Sequence, residues 1–240
     1  MQIKNGVWWQ GDCLEVMKRI PDGSIDMILC DLPYGTTQNQ WDSVIPFEPL
    51  WREYWRVCKP RAAIVLTAQC PFDKVLGASQ IDYLKYEWIW EKESGSGHLN
   101  AKRQPMKSHE NILVFHREQC TYNPQKTFGH KGYTQKSGDG SSNYGNQVRV
   151  TTDASDGSRY PLSIQKFPRD KSKIHPTQKP VALFEYLIRT YTNEGDVVLD
   201  NTAGSGTTAV ACENTGRHWV CIERDAEYSR KAIERIRHGF

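Results

Sequence analysis

The sequence lacks several features that would have set its class at once. No window approaches the ~20 consecutive apolar residues that a membrane-spanning helix needs. Met1-Gln2-Ile3-Lys4-Asn5 leads into no apolar core of a secretory leader, so a cytoplasmic protein is expected. The seven cysteines, at positions 13, 30, 58, 70, 120, 212 and 221, include no C-x-x-C pair and no closely spaced Cys/His set. That spacing argues against a disulfide framework and against a zinc site, leaving reduced core thiols and no expected metal. No phosphate-loop lysine follows a glycine-rich stretch, which disfavours nucleoside triphosphate chemistry. No internal repeat is visible.

What is present is a chain of 240 residues, enough for one large domain or a domain carrying an insertion. The formal charge of +3 is unevenly spread. Between Arg117 and Ile174 there are ten Lys/Arg against five Asp/Glu, a net +5, so the remainder carries −2. A basic segment of this kind is what a nucleic-acid surface requires, and also what a solvated loop looks like.

Apolar periodicity alternates between helix and strand. Leu14, Val16, Met17 and Ile20 suggest a short helix stopped by Pro21-Asp22-Gly23, and residues 25–30 read as a buried strand. Phe47, Leu50, Trp51, Tyr54, Trp55 and Cys58 mark one face of an amphipathic helix ended by Lys59-Pro60. Residues 62–67, 86–90 and 111–115 read as strands, the last two separated by a Gly/Ser/Lys-rich connection. From 117 to 173 the periodicity fades into a polar stretch with six glycines and the aromatics Phe128, Tyr133, Tyr144 and Tyr160. Order returns at Pro180 with a helix face of Leu183, Phe184, Leu187, Ile188 and Tyr191. A strand at 197–199, a helix from Ser205 to Asn214 with Gly216 at its end, a strand at 219–222 and a charged terminal helix follow. Repeated βα units imply an α/β fold with a doubly wound, mostly parallel sheet.

Two loops carry chemistry. Asp200-Asn201-Thr202-Ala203-Gly204-Ser205-Gly206-Thr207-Thr208 joins a strand to a helix, and Glu223 ends the next strand. Glycines let a ligand approach the backbone, a helix N-terminus favours its carboxylate, and an acid one strand later accepts bonds from ribose hydroxyls. Gly204, Gly206 and Ala209 also satisfy a dinucleotide fingerprint, so a nicotinamide enzyme must be weighed. Asp200 counts against it: an acid there can hold the loop or meet a cationic methionine moiety, and is unhelpful beside a pyrophosphate. The second loop, Asp31-Leu32-Pro33-Tyr34-Gly35, follows the first strand and sets a carboxylate, a rigid turn and an aromatic ring at a strand's carboxyl end. A plain strand-to-turn junction would also explain Pro33 and Gly35. An exocyclic base amine is a poor nucleophile because its lone pair is delocalised. The Asp31 carboxylate and the Leu32 carbonyl can accept its two hydrogens and aim that lone pair at a sulfonium methyl. A base in a duplex must leave the helix to reach the loop, and Tyr34 offers a ring for it to stack on.

With these residues in view the chain resembles the amino-methyltransferase family, specifically bacterial and phage DNA methyltransferases whose catalytic motif precedes the cofactor motif. Asp31-Leu32-Pro33-Tyr34 stands where the family usually has Asp-Pro-Pro-Tyr, and Thr202-Ala203-Gly204-Ser205-Gly206 where it usually has Phe-x-Gly-x-Gly. Leu32 keeps the carbonyl and gives up proline's rigidity, and Thr202 loses an aromatic contact to the cofactor. His175-Pro176-Thr177-Gln178-Lys179-Pro180 is similar to the segment that closes over the cofactor's methionine end, and Gly11-Asp12 to the one that reaches its adenine. The resemblance implies a Rossmann-like methyltransferase fold, S-adenosylmethionine as cofactor and DNA as substrate. It implies a catalytic set of Asp31, Leu32, Pro33 and Tyr34, and a cofactor set of Asp12, Lys179, Asp200, Thr202, Gly204, Ser205, Gly206, Thr207 and Glu223. It divides the chain into a catalytic half at 1–116, an inserted target-recognition region at 117–174 and a cofactor-binding half at 175–240, and it suggests a homodimer.

The target is chosen by chemistry. Cytosine C5 methylation needs a nucleophile, normally in a Pro-Cys dipeptide, and Cys70 precedes its proline instead. Asp at the first tetrapeptide position is similar to the adenine-N6 enzymes, whereas cytosine-N4 enzymes of this motif order more often carry Ser. Cytosine-N4 transfer, and a DNA-binding protein with a vestigial cofactor pocket, remain the competing readings. Lys102, Arg103 and Lys107 in the Gly/Ser-rich connection, and Lys126, Lys131 and Arg149 in the basic segment, are the expected DNA contacts.

Overall fold

The structure is a computed structural model that describes residues 1–36, 42–136, 151–171, 174 and 177–238; Arg149, Tyr144, His175 and Pro176 lie outside them. Chain contacts define two compact units, one of Met1–Asn123 with Ser163–Phe240 and one of Pro124–Leu162.

In chain order the elements are β1 (Gln2–Ile3), β2 (Gly6–Gln10), α1 (Cys13–Met17), β3 (Ile25–Asp31), α2 (Phe47–Val57), β4 (Cys58–Ala68), α3 (Phe72–Ala78), β5 (Leu84–Ser96), β6 (Lys107–Phe115), β7 (Tyr133–Lys136), β8 (Thr151–Ala154), β9 (Ile164–Lys166), α4 (Val181–Tyr191), β10 (Val197–Asp200), α5 (Thr207–Thr215), β11 (His218–Glu223) and α6 (Ala226–His238). The larger unit is built on a nine-stranded sheet of order β1-β2-β11-β10-β3-β4-β6-β5-β9. The pairs β2–β11, β11–β10, β10–β3, β3–β4 and β5–β9 are parallel, while β1–β2, β4–β6 and β6–β5 are antiparallel. The sheet is therefore mostly parallel, with a β5–β6 hairpin closing one side.

Alternation along β3 shows why the sheet is wound on both faces. Side chains of a strand point to opposite faces in turn, and here Met27 and Leu29 enter one core while Ile28 and Cys30 enter the other. The first core is completed by Leu183, Phe184, Leu187 and Ile188 of α4, Ala209 and Cys212 of α5 and Ile236 of α6. The second is completed by Val16 and Met17 of α1, Leu50, Trp51 and Tyr54 of α2 and Leu76 of α3. A strand covered on both faces reads as an unbroken apolar run, which is why β3 and β4 lack polar alternation.

The β3 chain continues through α2 to β4 on one side, and β10 through α5 to β11 on the other. β3 and β10 are thus neighbours at the point where winding reverses, with Leu199 beside Ile28. Ligands of open α/β sheets bind at the carboxyl ends of such a strand pair. Asp31 ends β3 and Asp200 ends β10.

Segments flanking the smaller unit belong to the larger one: Cys120 is buried in its core, the Asn123 amide bonds the Thr190 carbonyl at 2.7 Å, and β9 extends the sheet along β5. Inside the smaller unit, β7 and β8 form an antiparallel pair. The Arg159 guanidinium lies 4.5 Å from the Tyr133 ring, and the Lys126 ammonium 4.5 Å from the Tyr160 ring.

Candidate active site

A cavity of about 550 Å³ opens at the carboxyl ends of β3 and β10. Its wall brings together Asp31, Leu32, Pro33, Tyr34, Asp12, Lys179, Asp200, Thr202, Gly204, Ser205, Thr207 and Glu223, although they span almost the whole chain. Of the proposed catalytic and cofactor residues only Gly206 is absent from it.

Asp31 is held by bonds from three directions. Its Oδ1 accepts from the Tyr34 hydroxyl at 2.7 Å and the Thr67 hydroxyl at 2.5 Å, and its Oδ2 accepts from Lys179 Nζ at 2.6 Å. The loop behind it is clamped by Asp42, which accepts the Gly35 and Thr36 amides at 2.8 and 2.9 Å. Leu32 is buried in the second core, so the residue standing at the usual proline position serves as an apolar anchor beneath the loop. The Tyr34 ring stacks on Phe72 at 5.1 Å, with Lys179 Nζ 5.6 Å from its centroid. Burial and the adjacent Asp31 carboxylate push the Tyr34 hydroxyl well above its usual pKa, so it acts as a donor.

Lys179, which also lines the cavity, bonds the Asp31 carboxylate through its ammonium and pairs with a residue that sequence reading missed, Glu110 of β6, at 3.3 Å. Glu110 pairs in turn with Lys92 of β5 at 2.5 Å. The signal was a glutamate entering the apolar run Asn111-Ile112-Leu113-Val114-Phe115, since a carboxylate heading a buried strand requires a partner.

The cofactor-loop candidates form a second network beside the first. Asp200 accepts the Thr202 amide at 3.0 Å and the Thr208 hydroxyl at 2.5 Å, and burial pushes its carboxyl up to about 7. Glu223 takes the Gly204 amide at 2.8 Å and the Asp225 amide at 2.8 Å, and burial raises its pKa as well. Asp12 caps α1, accepting the Leu14 amide at 2.9 Å and the Glu15 amide at 3.4 Å. Each of these acids therefore shapes its loop as well as facing the cavity. Ser205 and Thr207 share a hydroxyl bond at 3.0 Å. Asn201 accepts from the Tyr54 hydroxyl at 2.5 Å and the Cys30 thiol at 2.9 Å, while its buried Nδ2 has no partner among the described residues.

Gly206 lies outside the cavity wall. It caps α5 with φ +73°, and a Cβ there would lie 3.2 Å from Ile236 and 3.4 Å from Trp8. It allows α5 to approach α6 and β2 beneath the glycine loop.

The proposed DNA contacts divide by environment. Lys102 and Arg103 are exposed in the turn of the β5–β6 hairpin. Lys107, the first residue of β6 after that turn, donates to Gln69 Oε1 at 3.3 Å and the Cys70 carbonyl at 3.2 Å. Lys126 and Lys131 belong to the smaller unit, where the Lys131 carbonyl is bonded to Arg159. No cluster of His, Cys, Asp and Glu suited to a metal occurs among the described residues, and none of their helices is long and apolar enough to cross a membrane.

A doubly wound sheet with acids at the ends of both switch-point strands, and a glycine loop between them, defines an α/β enzyme that binds a nucleoside cofactor. The sequence profile of the DNA methylase family, the N6 and N4 amino-methyltransferases, matches residues 25–234, and the chain belongs to that family. Its sequence is 29% identical over 251 residues to the type II methyltransferase M.HpaI of Haemophilus parainfluenzae, covering 95% of this chain and 73% of that protein. It is 29% identical over 250 residues to the DNA adenine methyltransferase YhdJ of Escherichia coli strain K12, covering 94% and 81%. Among solved structures it is similar to the M1.HpyAVI–SAM complex, with TM-score 0.67, 24% identity and coverage of 96% and 99%. It is also similar to the cytosine-N4-specific PvuII DNA methyltransferase, with TM-score 0.70, 18% identity and coverage of 100% and 95%. At those identities the likeness to solved structures speaks to the fold.

The family uses S-adenosylmethionine, and the cavity suits it. Its volume falls in the range of small-molecule sites, the acids Asp12, Asp200 and Glu223 line it, and the buried amide of Asn201 has a donor to spare.

Proposed function

We propose that the chain methylates N6 of adenine in a base extruded from DNA, with Asp31 as the acceptor that activates the amine. The observation that carries this reading is the state of the Asp31 carboxylate. A carboxylate has about four acceptor positions, and three here are taken by Tyr34, Thr67 and Lys179. One lone pair on Oδ2 is left for an N6 hydrogen, on a side chain whose orientation is already fixed.

S-adenosylmethionine, when bound, supplies an electrophilic methyl group on a positively charged sulfur. Everything else falls to the chain. Asp31 Oδ2 and the Leu32 carbonyl accept the two amine hydrogens, which localises the nitrogen lone pair and directs it along one line. As the nitrogen gains its new bond, the proton it sheds goes to Asp31. Tyr34 and Pro33 bound the slot for the base, with the Tyr34 ring backed by Phe72. Gly204, Ser205, Thr202, Asp200, Glu223 and Asp12 hold the cofactor, with Thr207 behind them. The smaller unit, Pro124–Leu162, carrying Lys126 and Lys131, contributes to target reading, and Lys102 and Arg103 hold the phosphate backbone. The enzyme works in the cytoplasm.

Adenine is favoured over cytosine by the acid at position 31 and by the relative named as an adenine methyltransferase. Replacing Asp31 by Ala is expected to lower transfer by roughly 10³-fold or more while S-adenosylmethionine binds within a few-fold of its original affinity. Nucleoside analysis of the product DNA should show N6-methyladenine. N4-methylcytosine would reassign the target, and unchanged turnover of the variant would remove the mechanism.

A further inference from the structure

Behind the proposed acceptor runs a chain of alternating charge: Asp31 on β3, Lys179 ahead of α4, Glu110 on β6 and Lys92 on β5. The links are 2.6 Å from Lys179 Nζ to Asp31 Oδ2, 3.3 Å from Lys179 Nζ to Glu110 Oε2, and 2.5 Å from Lys92 Nζ to Glu110 Oε1. Side-chain exposure is 24% at Asp31 but 6%, 8% and 7% at Lys179, Glu110 and Lys92. Three ionised groups buried to that degree cost several kcal/mol each in desolvation unless they are paired, so the row stands or falls as a unit.

Its geometry is asymmetric. Lys179 makes a short hydrogen bond to Asp31 and only an ion pair to Glu110, whose Oε2 receives no hydrogen bond among the described residues. One ammonium is thus shared between two carboxylates, one facing the cavity and one behind it. Burial alone would raise the Glu110 pKa, and Lys179 and Lys92 outweigh it and bring it below the usual carboxylate range. Burial alone would lower that of Lys179, and Asp31 and Glu110 outweigh it. Both stay ionised.

We infer that Glu110, with its charge fixed by Lys92, is a positioning residue that shares the Lys179 ammonium and so keeps it from closing over the remaining Oδ2 lone pair, which is left for the hydrogen of the target amine. Without Glu110, Lys179 would have Asp31 as its only carboxylate partner, and the acceptor would be captured by its own neighbour. Without Lys92, Glu110 would draw Lys179 away and leave the acceptor easier to protonate. This rests on the reading of Asp31 as the amine acceptor. Among the described residues, the other titratable groups near Asp31 are Tyr34 on its own loop and Asp200 on β10, with Arg169 on the cavity wall. None of them is altered by the variants below.

The test is the pH dependence of kcat for methylation of DNA by Glu110→Gln, Glu110→Asp, Lys92→Met and Asp31→Ala, with thermal melts to establish folding. Glu110→Gln is expected to lower the plateau about tenfold or more and to move the acid limb to lower pH by about one unit. Lys92→Met is expected to move that limb the opposite way, and Glu110→Asp, which keeps the charge, to stay near the parent profile. If Glu110→Gln does not fold, Lys92→Met and Glu110→Asp carry the test. Limbs that do not move, or that move in the same direction in both charge variants, overturn the proposal while an inactive Asp31→Ala leaves the acceptor reading standing. An active Asp31→Ala would instead overturn the reading on which the proposal rests.

Discussion

The Thr202 hydroxyl donates to the Asp31 main-chain carbonyl at 3.0 Å, tying the cofactor loop to the catalytic loop across the β10–β3 boundary. The family's usual phenylalanine at this position has no hydroxyl to make that bond. Thr202 therefore offers no aromatic ring at this position but a tether on the Asp31 backbone. Thr202→Val, which keeps the shape and removes the donor, is expected to cost about 1 kcal/mol of stability and to lower kcat several-fold with little change in cofactor affinity. Thr202→Phe is expected to tighten S-adenosylmethionine binding while kcat still falls. Titration calorimetry beside single-turnover rates checks both, and an unchanged kcat in the two variants would show that the tether is idle.

Asp200 is expected to make cofactor binding sensitive to pH. Its carboxyl, pushed up to about 7 by burial, binds a proton more tightly in the folded protein than at the ordinary value of 3.8. The sign follows from linkage: Asp200's contribution to stability is fully present below 3.8, declines as pH rises toward about 7, and is constant above that. A cationic cofactor beside it favours the charged form, so binding should release a proton and tighten as pH rises through neutrality. Measured between pH 5.5 and 8 in buffers of different ionisation enthalpy, S-adenosylmethionine should bind with proton release, and Asp200→Asn should bind it more weakly and without that pH dependence. Equal slopes for the parent and Asp200→Asn would assign the proton elsewhere, Glu223 being the next raised carboxyl.

The parts of this site that were legible in the sequence are those encoded over short stretches. An apolar run followed by Asp31-Leu32-Pro33-Tyr34, and another followed by a glycine loop, locate the carboxyl ends of β3 and β10 because strand, turn and helix start are local properties. That these two strands are neighbours is a matter of strand order, which no local pattern carries. Glu110 and Lys92 were missed for that reason: they are linked to Asp31 through Lys179 only because the antiparallel β5–β6 hairpin lies beside β4. α3, at seven residues, is too short to display a helical period, and β2 was hidden because Gly6-Val7-Trp8-Trp9-Gln10 carries no clean alternation. Gly206 was read as a glycine that lets a ligand approach the backbone; the neighbours that approach it here, Ile236, Ala232 and Trp8, come from distant segments that sequence alone does not bring together.

Lys102, Arg103 and Lys107 share one hairpin and differ in what already holds them. Lys102 and Arg103 are exposed in its turn, whereas the Lys107 ammonium is engaged with Gln69 and the Cys70 carbonyl. Binding to DNA through phosphates releases counterions, and each lost contact reduces the slope of log affinity against log salt by about 0.9. Lys102→Ala with Arg103→Ala is therefore expected to reduce that slope by close to two contacts' worth, uniformly across target and non-target duplexes, because phosphates carry no sequence information. Lys107→Ala should leave the slope nearly unchanged and lower kcat instead, by loosening the hairpin that carries Lys92 and Glu110 to the back of the acceptor. Fluorescence anisotropy over a salt series, with turnover measured on the same three proteins, separates the two effects. A slope that falls as much for Lys107→Ala as for one of the turn residues would mean that Lys107 leaves Gln69 and Cys70 to reach the DNA.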